Sequence, residues 1–143
     1  MNTIVSFNSD FPAICKNDMP VGFELSQLIY GALTKSGFEI IGPSNREGWA
    51  WGFLVQKNGY QIEAIFGYVN DEQLQWLITT HVHLSLVNRI FHKKKTSKKS
   101  TVDLMSFCNA INDLLYNDEF NNIRWYAQEK FDKNELERWS PSP

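Results

Sequence analysis

Asn58-Gly59 lies between two runs in which apolar residues alternate with polar ones. This dipeptide is the preferred centre of a two-residue turn between antiparallel strands, because both turn positions need a positive φ. The turn fixes a register. Counting outward pairs Val55 with Ile62, Phe53 with Ala64, Trp51 with Phe66 and Trp49 with Tyr68 on one side of the pleat. That side is apolar throughout and has to be covered. The other side receives Gln56 with Gln61, Leu54 with Glu63, Gly52 with Ile65 and Ala50 with Gly67, a mixed set suited to partial exposure.

A third strand is expected from about Leu74 to Leu84, with Trp76, Ile78, Thr80 and Val82 in phase and Asn70-Asp71-Glu72 in the preceding turn. A five-residue connection over 69–73 sets Trp76 opposite Phe66 and Ile78 opposite Ala64. Upstream, Phe23, Leu25, Leu28, Ile29, Ala32 and Leu33 recur at helical spacing, so a helix is expected over about 21–36. Asp18 is its expected cap, Pro20 falls in its first turn and Gly37 is its stop. Gly42 to Gly48 reads as a loop. Residues 92–100 contain no apolar member and are expected to form a mobile loop. Ser100 or Thr101 then caps a second helix carrying Val102, Met105, Cys108, Ile111, Leu114 and Leu115. Phe120, Ile123 and Trp125 suit an edge strand or a closing segment, the chain from Asp132 has short helical potential, and residues 139–143 are expected to fray.

Two amphipathic helices and a sheet with one strongly apolar face define an α+β two-layer sandwich. The expected form is an antiparallel meander of about four to six strands with both helices on one face. With 143 residues, the chain is the size of one domain, 1–143, and no linker or internal repeat divides it.

Charge is unevenly placed. Residues 1–88 carry a net −4, residues 89–99 carry +6 without an acidic group, and residues 100–143 carry −4. Cys15 and Cys108 are too far apart in sequence to form a thiolate metal motif and read as free thiols. The opening residues show neither a basic nor a long apolar segment of the secretory kind, and no apolar run reaches membrane-spanning length. A cytoplasmic protein without a membrane partner is the expectation.

Nucleotide-loop, nucleophile-elbow and zinc-protease motifs are missing, which inclines the reading away from an enzyme. His81 and His83 share one side of a strand near Gln61 and Glu63, the raw material of a metal or acid–base site. An ordinary polar sheet face is the simpler account, since a third ligand is not evident and His92 would have to fold back. No cofactor is implied. Arg89, Lys93, Lys94, Lys95, Lys98 and Lys99 suit an acidic protein surface better than single-stranded nucleic acid, because no aromatic residue is interleaved for stacking on bases. Trp125, Tyr126 and Trp139 lie outside the regular pattern and are expected to serve as contact anchors. Pairing of edge strands into a homodimer is compatible with the same architecture.

The order helix, Trp-rich strands (Gly48-Trp-Ala-Trp-Gly-Phe-Leu-Val55 and Asn58-Gly-Tyr-Gln-Ile-Glu-Ala-Ile-Phe66), helix, then Phe120-Asn-Asn-Ile-Arg-Trp125, resembles small bacterial α+β families, among them immunity proteins that neutralise partner toxins. It resembles secretion chaperones more distantly. The resemblance spans roughly residues 20–126 and transfers no functional residue. It implies a non-enzymatic binding module that occludes a partner protein.

Overall fold

The computed structural model describes residues 1–15 and 17–143. Its elements, in order, are β1 (Ile4–Ser9), α1 (Phe23–Lys35), β2 (Ile41–Arg46), β3 (Ala50–Lys57), β4 (Tyr60–Tyr68), β5 (Trp76–Leu84), α2 (Leu86–Phe91), α3 (Lys93–Leu115), β6 (Phe120–Tyr126) and α4 (Gln128–Asp132). The six strands form one antiparallel sheet in the order β2-β3-β4-β5-β1-β6. Helices α1 and α3 cover one face, so the expected α+β sandwich is the architecture observed.

The Asn58-Gly59 hairpin pairs Val55 with Ile62, Phe53 with Ala64 and Trp51 with Phe66, as the turn dictates. These side chains join Leu25, Ile29, Leu33, Phe107 and Ile111 in the core. Strand β5 sits two residues away from its expected register: Phe66 faces Ile78 and Tyr68 faces Trp76, because the connection runs from Val69 to Gln75. A shift of two preserves the face of every side chain.

The remaining departures have local causes. Gly22, not Asp18, is the residue before α1; its φ of 92° is left-handed, and a Cβ there would come within 2.7 Å of the Trp76 ring. Glycine is required at that position. At the other end Gly37 acts as expected, its N–H donating to the Thr34 carbonyl and that of Phe38 to the Leu33 carbonyl, which closes the helix. The expected loop 42–48 is mostly edge strand β2, paired with β3 through a bulge between Ile41 and Ser44. Bulge, glycine and proline hid the strand pattern. Strand β1, which no turn signal announces, lies between β5 and β6 with Ile4, Val5, Ser6 and Phe7 all buried. Its two faces are both covered, so it shows no simple alternation.

The expected loop over 92–100 is helical from Lys93 onward. His92 precedes α3, a single helix of 23 residues. Thr96 and Ser100 fill its inward positions where an apolar residue would have announced a helix, and Leu104, Phe107, Cys108, Ile111 and Leu115 continue the same face. Val102 and Met105, expected inside, point outward.

Candidate functional site

The sheet face away from α1 and α3 is divided. Over β1 and β6 the chain's own C-terminal segment covers it: Phe131 packs edge-on to Tyr126 at 5.7 Å, and Arg124 lies 5.3 Å over the Trp139 ring. Ser140 and Trp125 exchange two backbone hydrogen bonds of 2.8 Å, and the Asn2 side chain donates to the Ser142 carbonyl at 3.1 Å. The segment expected to fray is therefore anchored. Trp125 and Tyr126 are fully buried, so neither presents the contact surface expected of it. Trp125 instead turns into the helix layer and donates from Nε1 to Asn112 at 2.9 Å.

Over β2 to β5 the same face is uncovered. Trp49, expected opposite Tyr68 in the core, precedes β3 and is 59% exposed. Its ring lies on the backbone of Gly67, since a Cβ on Gly67 would stand 3.6 Å from it. Trp49, Ile65, Gly67, Leu77 and Thr79 line an apolar recess of about 110 Å³. Beside it, the Arg46 stem lies across Gly52, where a Cβ would stand 3.0 Å from Arg46 Cγ and Cδ. Arg46 then reaches Glu63 Oε2 at 3.2 Å, and His83 Nε2 lies 3.5 Å from Glu63 Oε1. In this register His81 faces Glu63 and His83 faces Gln61.

Both carboxylate oxygens of Glu63 thus have a partner within the strip. The His81 and His83 rings are 6.4 Å apart, and among the described residues no group of three His, Cys, Asp or Glu side chains could hold a metal ion. His92 starts α3 and takes no part. The arrangement is a polar, ion-paired strip beside an aromatic shelf. Sequence periodicity missed Trp49 because extending the hairpin by one more pair put it on the wrong side. Arg46 gives no sequence signal because the bulge, glycine and proline of β2 mask the strand that positions it.

Arg89 and the five lysines belong to the helix layer. Arg89 lies in α2, and Lys93, Lys94, Lys95, Lys98 and Lys99 occupy the exposed sides of the first two turns of α3. That part of α3 is held by hydrogen bonds: Thr96 Oγ1 donates to Asn88 Oδ1 at 2.8 Å, and the Tyr60 hydroxyl donates to Asp103. Burial, reinforced by the Asp103 carboxylate, raises the Tyr60 pKa well above the usual phenol value. Deeper in α3, burial pushes the Cys108 thiol up to about 11, against a smaller opposing effect of its hydrogen bond with Thr80.

No helix among the described residues is long and apolar enough to cross a membrane. The chain matches no family model, and neither a curated protein nor a solved structure matches it.

Proposed function

We propose that the protein is a non-enzymatic binding module of the immunity type, which covers a partner protein with the uncovered half of its sheet face. The observation that carries this reading is Trp49, a large aromatic side chain left 59% exposed on a rigid sheet with Arg46 beside it. Tryptophan and arginine dominate the energetics of many protein interfaces, tryptophan through the large contact area of a rigid ring and arginine through its planar, multiply donating guanidinium. The ion pair of Arg46 with Glu63 orients the guanidinium before a partner arrives. The resemblance to immunity proteins in strand and helix order supports the same class. A metal-dependent reading on His81, His83 and Glu63 has less support, since Glu63 is already engaged by Arg46.

The test is affinity capture from the source cell with tagged full-length protein and its Trp49→Ala and Arg46→Ala variants, followed by titration of whatever single protein is retained stoichiometrically. Trp49→Ala is expected to weaken that complex roughly thirtyfold, the effect of losing about 2 kcal/mol. A partner held equally well by Trp49→Ala, or no partner held by the unaltered protein, would overturn the reading.

A further inference from the structure

Helix α2 is amphipathic the wrong way round. At 100° per residue, Leu86, Val87, Ile90 and Phe91 share one side, while Asn88 and Arg89 share the other. On the polar side Asn88 turns toward the protein, while Arg89 stays exposed. Asn88 accepts from Thr96 and donates from Nδ2 to Ser85 Oγ at 2.8 Å, and it sits against the backbone of Gly59. Arg89 donates to the Leu84 carbonyl at 3.4 Å. The apolar side faces away, with Leu86, Val87, Ile90 and Phe91 between 60% and 74% exposed. No α2 residue is buried. Directly after this projection come Lys93, Lys94, Lys95, Lys98 and Lys99, and no acidic residue occurs from Gln73 to Val102.

We infer that α2 and the first turns of α3 dock the protein peripherally on an anionic phospholipid surface, with Leu86, Val87, Ile90 and Phe91 entering the headgroup region and the lysines pairing with lipid phosphates. Three observations favour this occupant. All four apolar side chains are at least 60% exposed, and a bilayer accepts such side chains without needing a matching cleft. Bulky aliphatic and aromatic residues next to clustered lysines are the composition of helices that lie in the interface rather than span it. Finally, residues 1–88 and 100–143 each carry a net −4, so an anionic surface repels the rest of the molecule and leaves this corner as the one that can approach. The inference is independent of the protein-binding surface around Trp49, which lies on the opposite side of the sheet from α3.

Flotation of the full-length protein with vesicles tests it, using phosphatidylcholine alone and phosphatidylcholine mixed with phosphatidylglycerol. Binding is expected to the mixed vesicles only and to fall as salt is raised. Lys93→Gln/Lys94→Gln/Lys95→Gln should weaken it on the order of a hundredfold, and Phe91→Ser roughly tenfold. Phe91→Trp should gain fluorescence that brominated lipid quenches. Both substituted regions are exposed, and a single cooperative thermal transition no lower than that of the unaltered protein confirms that the variants fold. Equal binding to the two vesicle types, no binding to either, or indifference to Phe91→Ser would overturn the inference. So would equally tight binding to duplex DNA or polyglutamate, which would mark a general polyanion site, or concentration-dependent dimerisation that Phe91→Ser abolishes.

Discussion

The two halves of α3 are built on one helical repeat with different materials. From Leu104 to Leu115 the inward side is Leu, Phe, Cys, Ala, Ile and Leu, packed against the sheet and α1. From Lys93 to Asp103 the inward side holds Thr96 and Ser100, and the outward side holds five lysines. The first region is held by apolar area, the second mainly by hydrogen bonds, whose net contribution is small because water offers the same bonds to the unfolded chain. A helix can thus extend beyond the apolar core it anchors and carry surface chemistry on turns that contribute little to stability.

The largest expected effect is in the apolar half. Phe107 is buried and packs edge-on to Phe38 at 5.3 Å. Phe107→Ala should cost about 3–5 kcal/mol, read from urea unfolding, through lost transfer energy and the cavity left behind. A cost below about 1 kcal/mol would break the contrast between the halves.

Cys108 sharpens it through pH. A thiol raised to about 11 in the fold, against 9.0 as its ordinary value, contributes stability that is complete below pH 9.0 and is lost as pH rises through 11. About 2–3 kcal/mol is at stake. Tyr60 acts in the same direction, so the informative comparison is Cys108→Ala, which should flatten the alkaline fall in urea midpoint while leaving the Tyr60 part. At neutral pH a thiol reagent should modify exposed Cys15 and leave Cys108 until the protein unfolds.

At the junction between the halves, Tyr60→Phe removes the bond to Asp103 and should cost about 2 kcal/mol, as expected for a hydrogen bond to a charged group. Further toward the N-terminus, Thr96→Ala removes the bond to Asn88 and should cost about 1 kcal/mol. Amide exchange in α2 and the first turns of α3 should accelerate in this variant, while exchange from Leu104 onward stays slow. Uniform acceleration along α3 would mean that the helix opens as one unit.

The same contrast explains what could be read in advance. The Asn58-Gly59 turn specified its hairpin because turn chemistry and alternation agree there, and α1 was visible from its apolar spacing. The start of α3 was hidden because threonine and serine occupy its inward positions, and an apolar count cannot see a hydroxyl that is buried with its hydrogen bond made. The Gly42-Pro43 pair disguised β2, and with it Arg46. Burial on both faces disguised β1. Nothing in the local pattern of Trp125 and Tyr126 shows that α3 covers one and the C-terminal segment the other. Helix α2 gave no signal of its own, since its apolar residues follow directly on β5, and only the fold shows that it is Asn88 that turns inward.

The smallest expected effect is the most discriminating. Lys93, Lys94 and Lys95 occupy the first turn of α3, which contains no acidic residue, so they face the positive end of the helix dipole. Lys94 with Lys98 and Lys95 with Lys99 are also like-charge pairs four residues apart. Each arrangement is mildly unfavourable, and nothing in the fold compensates it, since none of the five lysines makes an ion pair among the described residues. Neutralising Lys93, Lys94 and Lys95 with glutamine should therefore raise stability by about 0.5 kcal/mol. That small gain, measured in urea at low salt and shrinking as salt is added, would show that the lysines act against folding and are retained for what they contact. A loss of more than about 1 kcal/mol would make them structural and remove the reason to seek an anionic surface for them.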